Sequence, residues 1–276
     1  MKSGQELIDD INACHPDPGE AALWWFGQHS FVVKLGETVC YVDPFLSDLP
    51  GRQVPPLLKP SEVTNATIVL GTHDHADHID RRALPDVLQA SPEARLIIPQ
   101  LLKERVVGDL KLDASRVLGI DVEVPLDIAG LIVAAVPAAH EFLDRDEKSG
   151  LYPYLGFVVT GNDFCFYHAG DTCIYEGIHE RLRQREIELG KIDLAMLPIN
   201  GRDAKRLRIG WIGNMTYQEA ADLAGSLGFA TTIPTHFEMF EINSVDPQLF
   251  IDYMEVKYPG LHTFIPKHGR RTMVKG

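Results

Sequence analysis

Seven consecutive residues, Thr72-His73-Asp74-His75-Ala76-Asp77-His78, constrain this chain more than any other stretch. They hold three imidazoles and two carboxylates and directly follow the apolar run Ala66 to Leu70. Such a run reads as a buried strand. Gly71 and Thr72 end it, so the cluster falls on the loop at the strand's carboxyl end, where open α/β sheets bind ligands. In extended backbone, residues two apart point the same way, so His73 and His75 can grip one ion together. Asp77 and His78 follow where the chain must turn, and they point elsewhere. One loop could therefore feed two neighbouring metal sites. The alternative is a solvated polar loop with chance histidines, which the strand directly before it argues against.

Other segments show the same strand-then-loop grammar. Leu7, Ile8 and Ile11 give a short helix one apolar face, and Ser3 with Glu6 resembles a capping box. Ala22 to Phe26, Phe31 to Leu35 and Thr38 to Val42 read as strands joined by tight turns, and Asp43-Pro44 ends the third. Leu46 to Pro60, with its prolines, reads as a loop near the site or an interface segment. Arg81 to Ala90 and Leu101 to Val107 read as helices around a strand at Arg95 to Ile98. Asp121 to Leu126 and Leu131 to Val136 read as strands, and Glu141 to Leu151 as a charged loop. Leu155 to Thr160 and Phe164 to His168 form a hairpin around Gly161-Asn162. Helices are expected at Ile178 to Leu189, Thr216 to Leu227 and Pro247 to Tyr258, with strands at Leu194 to Pro198, Thr231 to Pro234 and Thr263 to Ile265. Hairpins first and strand–helix alternation later predict a mixed-sheet α/β fold rather than a Rossmann fold.

Composition narrows the partners. The 276 residues suffice for a large core, and no repeat or linker interrupts them, so one domain over 1–276 is expected. With 45% hydrophobic and 24% charged residues, this is the composition of an ordinary soluble globular protein. The net charge of −13 argues against a nucleic-acid or anionic-membrane surface. It leaves a small-molecule substrate open, including an anionic one. Met1 to Asp10 has no apolar segment of signal-peptide length, and no run could span a bilayer. Cys14, Cys40, Cys165 and Cys173 form no CxxC pair, and free thiols point to a reducing cytoplasm.

Further polar residues follow later strands. His140 comes after Val136-Pro137, Asp171 after His168-Ala169-Gly170, and His236 after Thr231 to Pro234. Taken singly, each could be a hydrogen-bonded structural residue. With the histidine loop they make a set of His73, His75, Asp77, His78, His140, Asp171 and His236. Two ions need roughly that number, with a carboxylate shared and a position open to water.

At this point the sequence resembles the metallo-β-lactamase superfamily. The HxHxDH loop, His140, Asp171 and His236 match its motif order, and Asp43 matches its first motif. The resemblance implies a four-layer αββα sandwich with mixed sheets and a dinuclear site at one edge. It implies that His73, His75 and His140 hold one ion, that Asp77, His78 and His236 hold the second, and that Asp171 bridges them. Asp43 would support the histidine loop from behind, or form a simple Asp-Pro turn. Trp25 to Phe31, Tyr41 to Leu46 and His168 to Thr172 are similar to the ascorbate-6-phosphate lactonase-like group. N-acyl-phosphatidylethanolamine phospholipase D looks like a more distant relative. Only Thr172 to Thr235 separates Asp171 from His236, which leaves no space for the extra domain of ribonuclease members.

A hydroxide bridging two divalent ions is a nucleophile at neutral pH. Asp77 could carry the proton to the leaving oxygen, with Asp171 between the ions. Nitrogen and oxygen ligands suit zinc, manganese or iron. Asn200-Gly201-Arg202, with Lys205, Arg206 and Arg208, is a basic stretch in an acidic chain. Arg202 could hold a phosphate or carboxylate in a bidentate fork. The stretch could equally be a solvated loop or an interface, which leaves a homo-oligomer open. Tyr152 and Tyr154 read either as pocket or as packing, and His29, His168 and Asn214 as donors behind the ligands. The leading expectation is a lactonase acting on a phosphorylated sugar lactone. A phosphodiesterase is the second, and a catalytically idle metal-binding scaffold the third.

Overall fold

The computed structural model describes residues 1–276. Helix α1 (Gly4–Asn12) precedes the strands β1 (Glu20–Trp25), β2 (Phe31–Leu35) and β3 (Thr38–Val42). A long loop leads to β4 (Ile68–Leu70), followed by α2 (Leu84–Ala90), β5 (Arg95–Pro99), α3 (Lys103–Leu110) and β6 (Val117–Ile120). Then come β7 (Leu126–Ile128), β8 (Leu131–Pro137), β9 (Leu155–Gly161) and β10 (Phe164–His168). The rest alternates: α4 (Ile178–Leu189), β11 (Leu194–Pro198), α5 (Ala204–Arg208), α6 (Tyr217–Leu227), β12 (Thr231–Thr235), α7 (Gln248–Lys257), β13 (His262–Thr263) and β14 (Arg271–Lys275). No helix is long and apolar enough to cross a membrane.

The strands form two seven-stranded mixed sheets, ordered β14-β1-β2-β3-β4-β5-β6 and β13-β12-β11-β10-β9-β8-β7. Each has an antiparallel and a parallel part, with β3 to β6 parallel in one and β10 to β13 parallel in the other. The period-two rule explains the layers. Ala21, Leu23, Trp25, Phe31, Val33, Val42 and Leu70 enter the core shared with the second sheet. Their alternates Ala22, Trp24, Val32, Tyr41 and Val69 pack under Leu7, Ile8 and Ile11 of α1 and Leu84, Val87 and Leu88 of α2. Helices α4, α6 and α7 cover the other sheet through Leu182, Leu223 and Phe250. The four-layer sandwich expected from the sequence is the fold observed.

Strand direction then collects the site. β1 and β3 are both antiparallel to β2, so they run the same way, and β4 is parallel to β3. β8 and β10 are both antiparallel to β9, and β11 and β12 follow β10. The carboxyl ends of all these strands share a rim within each sheet, so the residues after β1, β3, β4, β8, β10 and β12 converge.

Three local expectations are corrected, and one strand is added. Asp121 to Leu126 is a turn between β6 and β7, because Pro125 lacks the N–H that a ladder needs. The basic stretch after Arg202 is not a loop throughout but carries α5, capped by the Asp203 carboxylate, which accepts from the N–H groups of Lys205 and Arg206. Ser3 precedes α1 without a side-chain cap, whereas Thr216 and Glu219 form the reciprocal box that opens α6. Strand β14 escaped notice because only Val274 of it is buried, so no alternation marks it.

Leu23→Ala should test the shared core. Leu23 is 2% exposed between the sheets. Its truncation is expected to cost about 2–5 kcal/mol in urea unfolding, by lost transfer energy and a residual cavity. Met273→Ala on the outer strand β14 should stay within about 0.5 kcal/mol, as exposed substitutions do. Equal effects would place the core elsewhere.

Candidate metal centre

The histidine loop turns at His73, three residues past the end of β4. The N–H of His75 donates to the His73 carbonyl at 3.0 Å, and those of His78 and Ile79 donate to the His75 carbonyl at 3.1 and 2.9 Å. Ile79 thereby folds back against Gly71, where a Cβ would lie 2.7 Å from its Cγ1, so the tight turn requires glycine there. The result is the split expected from the spacing. His73 and His75 approach each other and His140, with ring centroids 4.6 to 5.2 Å apart. His78 and Asp77 instead face His236.

Three groups of ligand atoms lie close enough for an ion: His73 with His75 and His140; His73 with His78 and Asp171; and Asp77 with His78 and His236. Asp171 sits at the junction. Its Oδ1 is 3.3 Å from His78 Nε2 and its Oδ2 is 3.1 Å from His236 Nε2. Gly170, left-handed at φ +60°, delivers it, and a Cβ there would strike the Leu155 carbonyl oxygen at 2.5 Å. Asp77 Oδ2 is 3.6 Å from both His78 Nε2 and His236 Nε2.

The residues fit a metal on their own evidence. His140 Nδ1 and Nε2, His78 Nε2 and Asp171 Oδ1 are buried without a hydrogen-bond partner. Unsatisfied buried polar atoms cost about 1–3 kcal/mol each and call for an explanation. Converging imidazole nitrogens and carboxylate oxygens are the donor chemistry of a divalent first-row ion. The electrostatics fall into two halves. Burial holds His73 well below the usual imidazole range, lowers His75, and brings His140 down to about 4, so all three present neutral rings. Burial also opposes charge on His78 and His236, but the carboxylates of Asp171 and Asp77 outweigh it and raise both. Asp171, despite its burial, is held well below the usual carboxylate range by His236 and His78.

Behind the ligands, Asp43 orients the loop. Its carboxylate accepts from the Thr72 N–H at 2.8 Å and the Thr72 hydroxyl at 2.7 Å, and lies 2.6 Å from His78 Nδ1. It is fully buried, with φ +45°, and these contacts tie it to the histidine loop beyond what an Asp-Pro turn requires. His168 lies one layer deeper. It stacks on His29 at 3.8 Å and shares a hydrogen bond with the His29 carbonyl at 2.8 Å. Tyr154 stands beside the neutral trio, 5.5 Å from His73 and 5.2 Å from His140 by ring centroids. Tyr152 is buried under Arg145 and packs. Cys173 is a small buried side chain outside the ligand groups.

Gln28 was missed. Its amide nitrogen donates to Asp77 Oδ2 at 2.8 Å and lies 3.1 Å from His236 Nε2. It reads in sequence only as the joint of a hairpin, and its φ of +54° is the mark of that turn. A cavity of about 430 Å³ opens over Asp77, Asp171, His140 and His236, and its wall includes Trp211, Phe240 and Asn243.

The structure does not bring Arg202 to that wall. Its guanidinium forks onto Glu219 at 2.6 and 2.8 Å, because the turn before α6 sets the two side by side. The expectation that Arg202 faces a substrate anion is corrected accordingly. Asn200 is also behind the wall, donating to Asn243 Oδ1 at 2.9 Å, while Arg206 Nη1 donates to the Asn200 carbonyl at 3.0 Å. These groups brace the wall and do not line it.

The sequence profile of the Beta-lactamase superfamily domain matches residues 39–237. A UPF0173 metal-dependent hydrolase of Sulfolobus acidocaldarius is 27% identical over 250 residues, covering 90% of this chain and 97% of the relative. Igni18, a metallo hydrolase of Ignicoccus hospitalis, superposes with TM-score 0.70 at 19% identity, covering 93% of this chain and 99% of that one. CmlA, a diiron β-hydroxylase of Streptomyces venezuelae, superposes with TM-score 0.67 at 16% identity, covering 95% of this chain and 55% of its own. At such identities the superpositions speak to the fold, and one fold hosts different chemistries.

Two outcomes are expected. Asp43→Asn tolerates the positive φ but removes the charge behind His78, and should weaken metal affinity about 10–100-fold in a competitive chelator titration. Unchanged affinity would reduce Asp43 to a turn residue. Protons also compete with the ion at His78 and His236, whose protonated forms are favoured by Asp171 and Asp77. Metal affinity should therefore weaken as pH falls, and calorimetry in two buffers of different ionisation enthalpy should show proton release on binding.

Proposed function

The chain belongs to the Beta-lactamase superfamily, matched over residues 39–237, and from that premise we propose that it hydrolyses an ester or lactone bond with two divalent ions, zinc or manganese. The coarser statement stands by itself: this is a metal-dependent hydrolase of the metallo-β-lactamase fold. One observation carries the finer one. The three ligand groups form a chain, with His73 common to the first two, His78 common to the last two and Asp171 in the middle one, beside an open cavity. His73, His75 and His140 would hold one ion, and Asp77, His78 and His236 the other, with Asp171 between. Ions held there supply a neutral-pH nucleophile and a Lewis acid.

The chain's own residues do the rest. Asp43 and Thr72 fix the tautomer and angle of His78, since the Asp43 carboxylate occupies its Nδ1 side and leaves Nε2 for the ion. Gln28 engages Asp77 Oδ2, which leaves Oδ1 to pass a proton to the leaving oxygen. Asp77 is suited to this because it is a ligand whose side chain still reaches the cavity. Recognition of a phosphorylated sugar lactone would need a cation on the wall, and no Lys or Arg lines it. The lactone part of that reading is therefore the better supported part.

Elemental analysis after saturation with zinc or manganese should approach two equivalents per chain, and Asp171→Ala should remove more than one. Its turnover should fall by more than the roughly 10–100-fold typical of losing a group that supports a ligand. Paired assays with δ-valerolactone and bis(p-nitrophenyl) phosphate are expected to favour the lactone. Faster cleavage of the phosphodiester would make the protein a phosphodiesterase, and near-normal Asp171→Ala turnover would end the bridging assignment.

A further inference from the structure

We infer that the cavity over the metal ligands is an apolar subsite that selects a neutral substrate carrying an alkyl or aryl substituent, gripped by Trp211 and Phe240. This rests on the hydrolytic reading above and adds the chemical class of the group next to the reacting bond.

The cavity lining divides by chemistry. Its polar members are the ligands themselves with Gln28 and Asn243, and the remainder is dominated by Leu49, Pro50, Trp211, Ile212 and Phe240. A sugar ring needs several hydrogen-bond partners, and an anionic substituent needs a cation. Of the polar members beyond the ligands, the Gln28 amide is engaged by Asp77, and Asn243 Oδ1 accepts from both Asn200 and Arg206. Three cations behind the wall are committed elsewhere: Arg202 to Glu219, Arg206 to Asp203 and Asn243, and Arg52 to the carbonyls of Phe45 and Ser47.

The apolar wall is built into the fold. Trp211 and Phe240 meet edge to face, with centroids 5.4 Å apart and planes at 75°. Phe240 leans on buried Phe45 at 6.3 Å, and Arg52 lies over Phe45 at 4.1 Å. Main-chain pairing of Arg52 with Phe240, and the Gln53 N–H on the Met239 carbonyl at 2.8 Å, knit the two halves of the wall together. Such an aromatic pair gives a large contact area at a fixed angle. Exposed Ile209 and Ile242 directly precede the lining residues Gly210 and Asn243, and exposed Phe142 follows His140 by two.

The test uses the metal-loaded protein with δ-valerolactone, with δ-decalactone, which differs by a pentyl substituent, and with glucono-δ-lactone 6-phosphate. Each methylene removed from water contributes about a fourfold gain in binding, so kcat/KM should favour the pentyl lactone over the plain ring by at least tenfold. Trp211→Ala and Phe240→Ala should each cut that ratio about fivefold or more. The ratio is taken within one variant, so a smaller folded fraction cancels. A ratio near one, a ratio unmoved by both variants, or a preference for the phosphate overturns the subsite. Binding is read separately with the matching δ-lactams, which resist hydrolysis. Trp24 and Trp25 are buried while Trp211 borders the cavity, so the pentyl lactam should give a saturable fluorescence change that is lost in Trp211→Phe. Saturable binding without hydrolysis of any lactone would sustain the subsite and reject the hydrolytic reading. Absence of both would reject the two together.

Discussion

Asp171 is a carboxylate held away from water between two imidazoles, and much of the molecule serves to make that placement tolerable. A buried charge must be paired and hydrogen-bonded to persist. His78 and His236 provide the pairing from opposite sheets, at 3.3 and 3.1 Å. Each of them is held in turn. His78 is positioned by Asp43, which is itself fixed by the Thr72 N–H and hydroxyl, and His236 abuts Gln28. The main-chain N–H of His236 donates to the Gln28 carbonyl, so the same residue positions it twice. The chain of support runs outward from Asp171 to the ends of β1, β3, β4 and β12, and it ends in regular strands.

This dependence explains why the site lies between the two halves. The first sheet supplies the histidine loop, Asp43 and Gln28, and the second supplies His140, Asp171 and His236. Neither half alone completes any of the three groups, since each joins residues of the histidine loop to His140, Asp171 or His236. The shared apolar core sets how far apart the rims stand, and close packing makes that spacing stiff. The cavity wall repeats the pattern, with Leu49 and Pro50 from one half and Trp211 and Phe240 from the other.

The candidate ligands could be picked out because their signal is local. HxHxDH directly after Ile68 to Leu70 states both the donor atoms and the strand that aims them, and His140, Asp171 and His236 repeat the arrangement. Gln28 was illegible because an amide carries no metal signature and its partners, Asp77 and His236, are far away in sequence. The basic stretch misled for the same reason. Charge can be counted along a chain, but Glu219, which occupies the Arg202 fork, belongs to the next helix. Asn200, though it follows β11 as expected of a site residue, turns inward to Asn243.

By itself, the sequence determined the alternation of strands and helices and the placing of candidate donors at strand ends, because period-two burial and strand-end donors are written in neighbouring residues, while the αββα layering followed from the resemblance carried by the HxHxDH motif. Only the tertiary structure decided which donors meet, what stands behind them and what borders the open side. Those are properties of contacts between residues such as Asp43 and His78, or Trp211 and Phe240, and a contact is set by how strands run and sheets pack rather than by spacing along the chain.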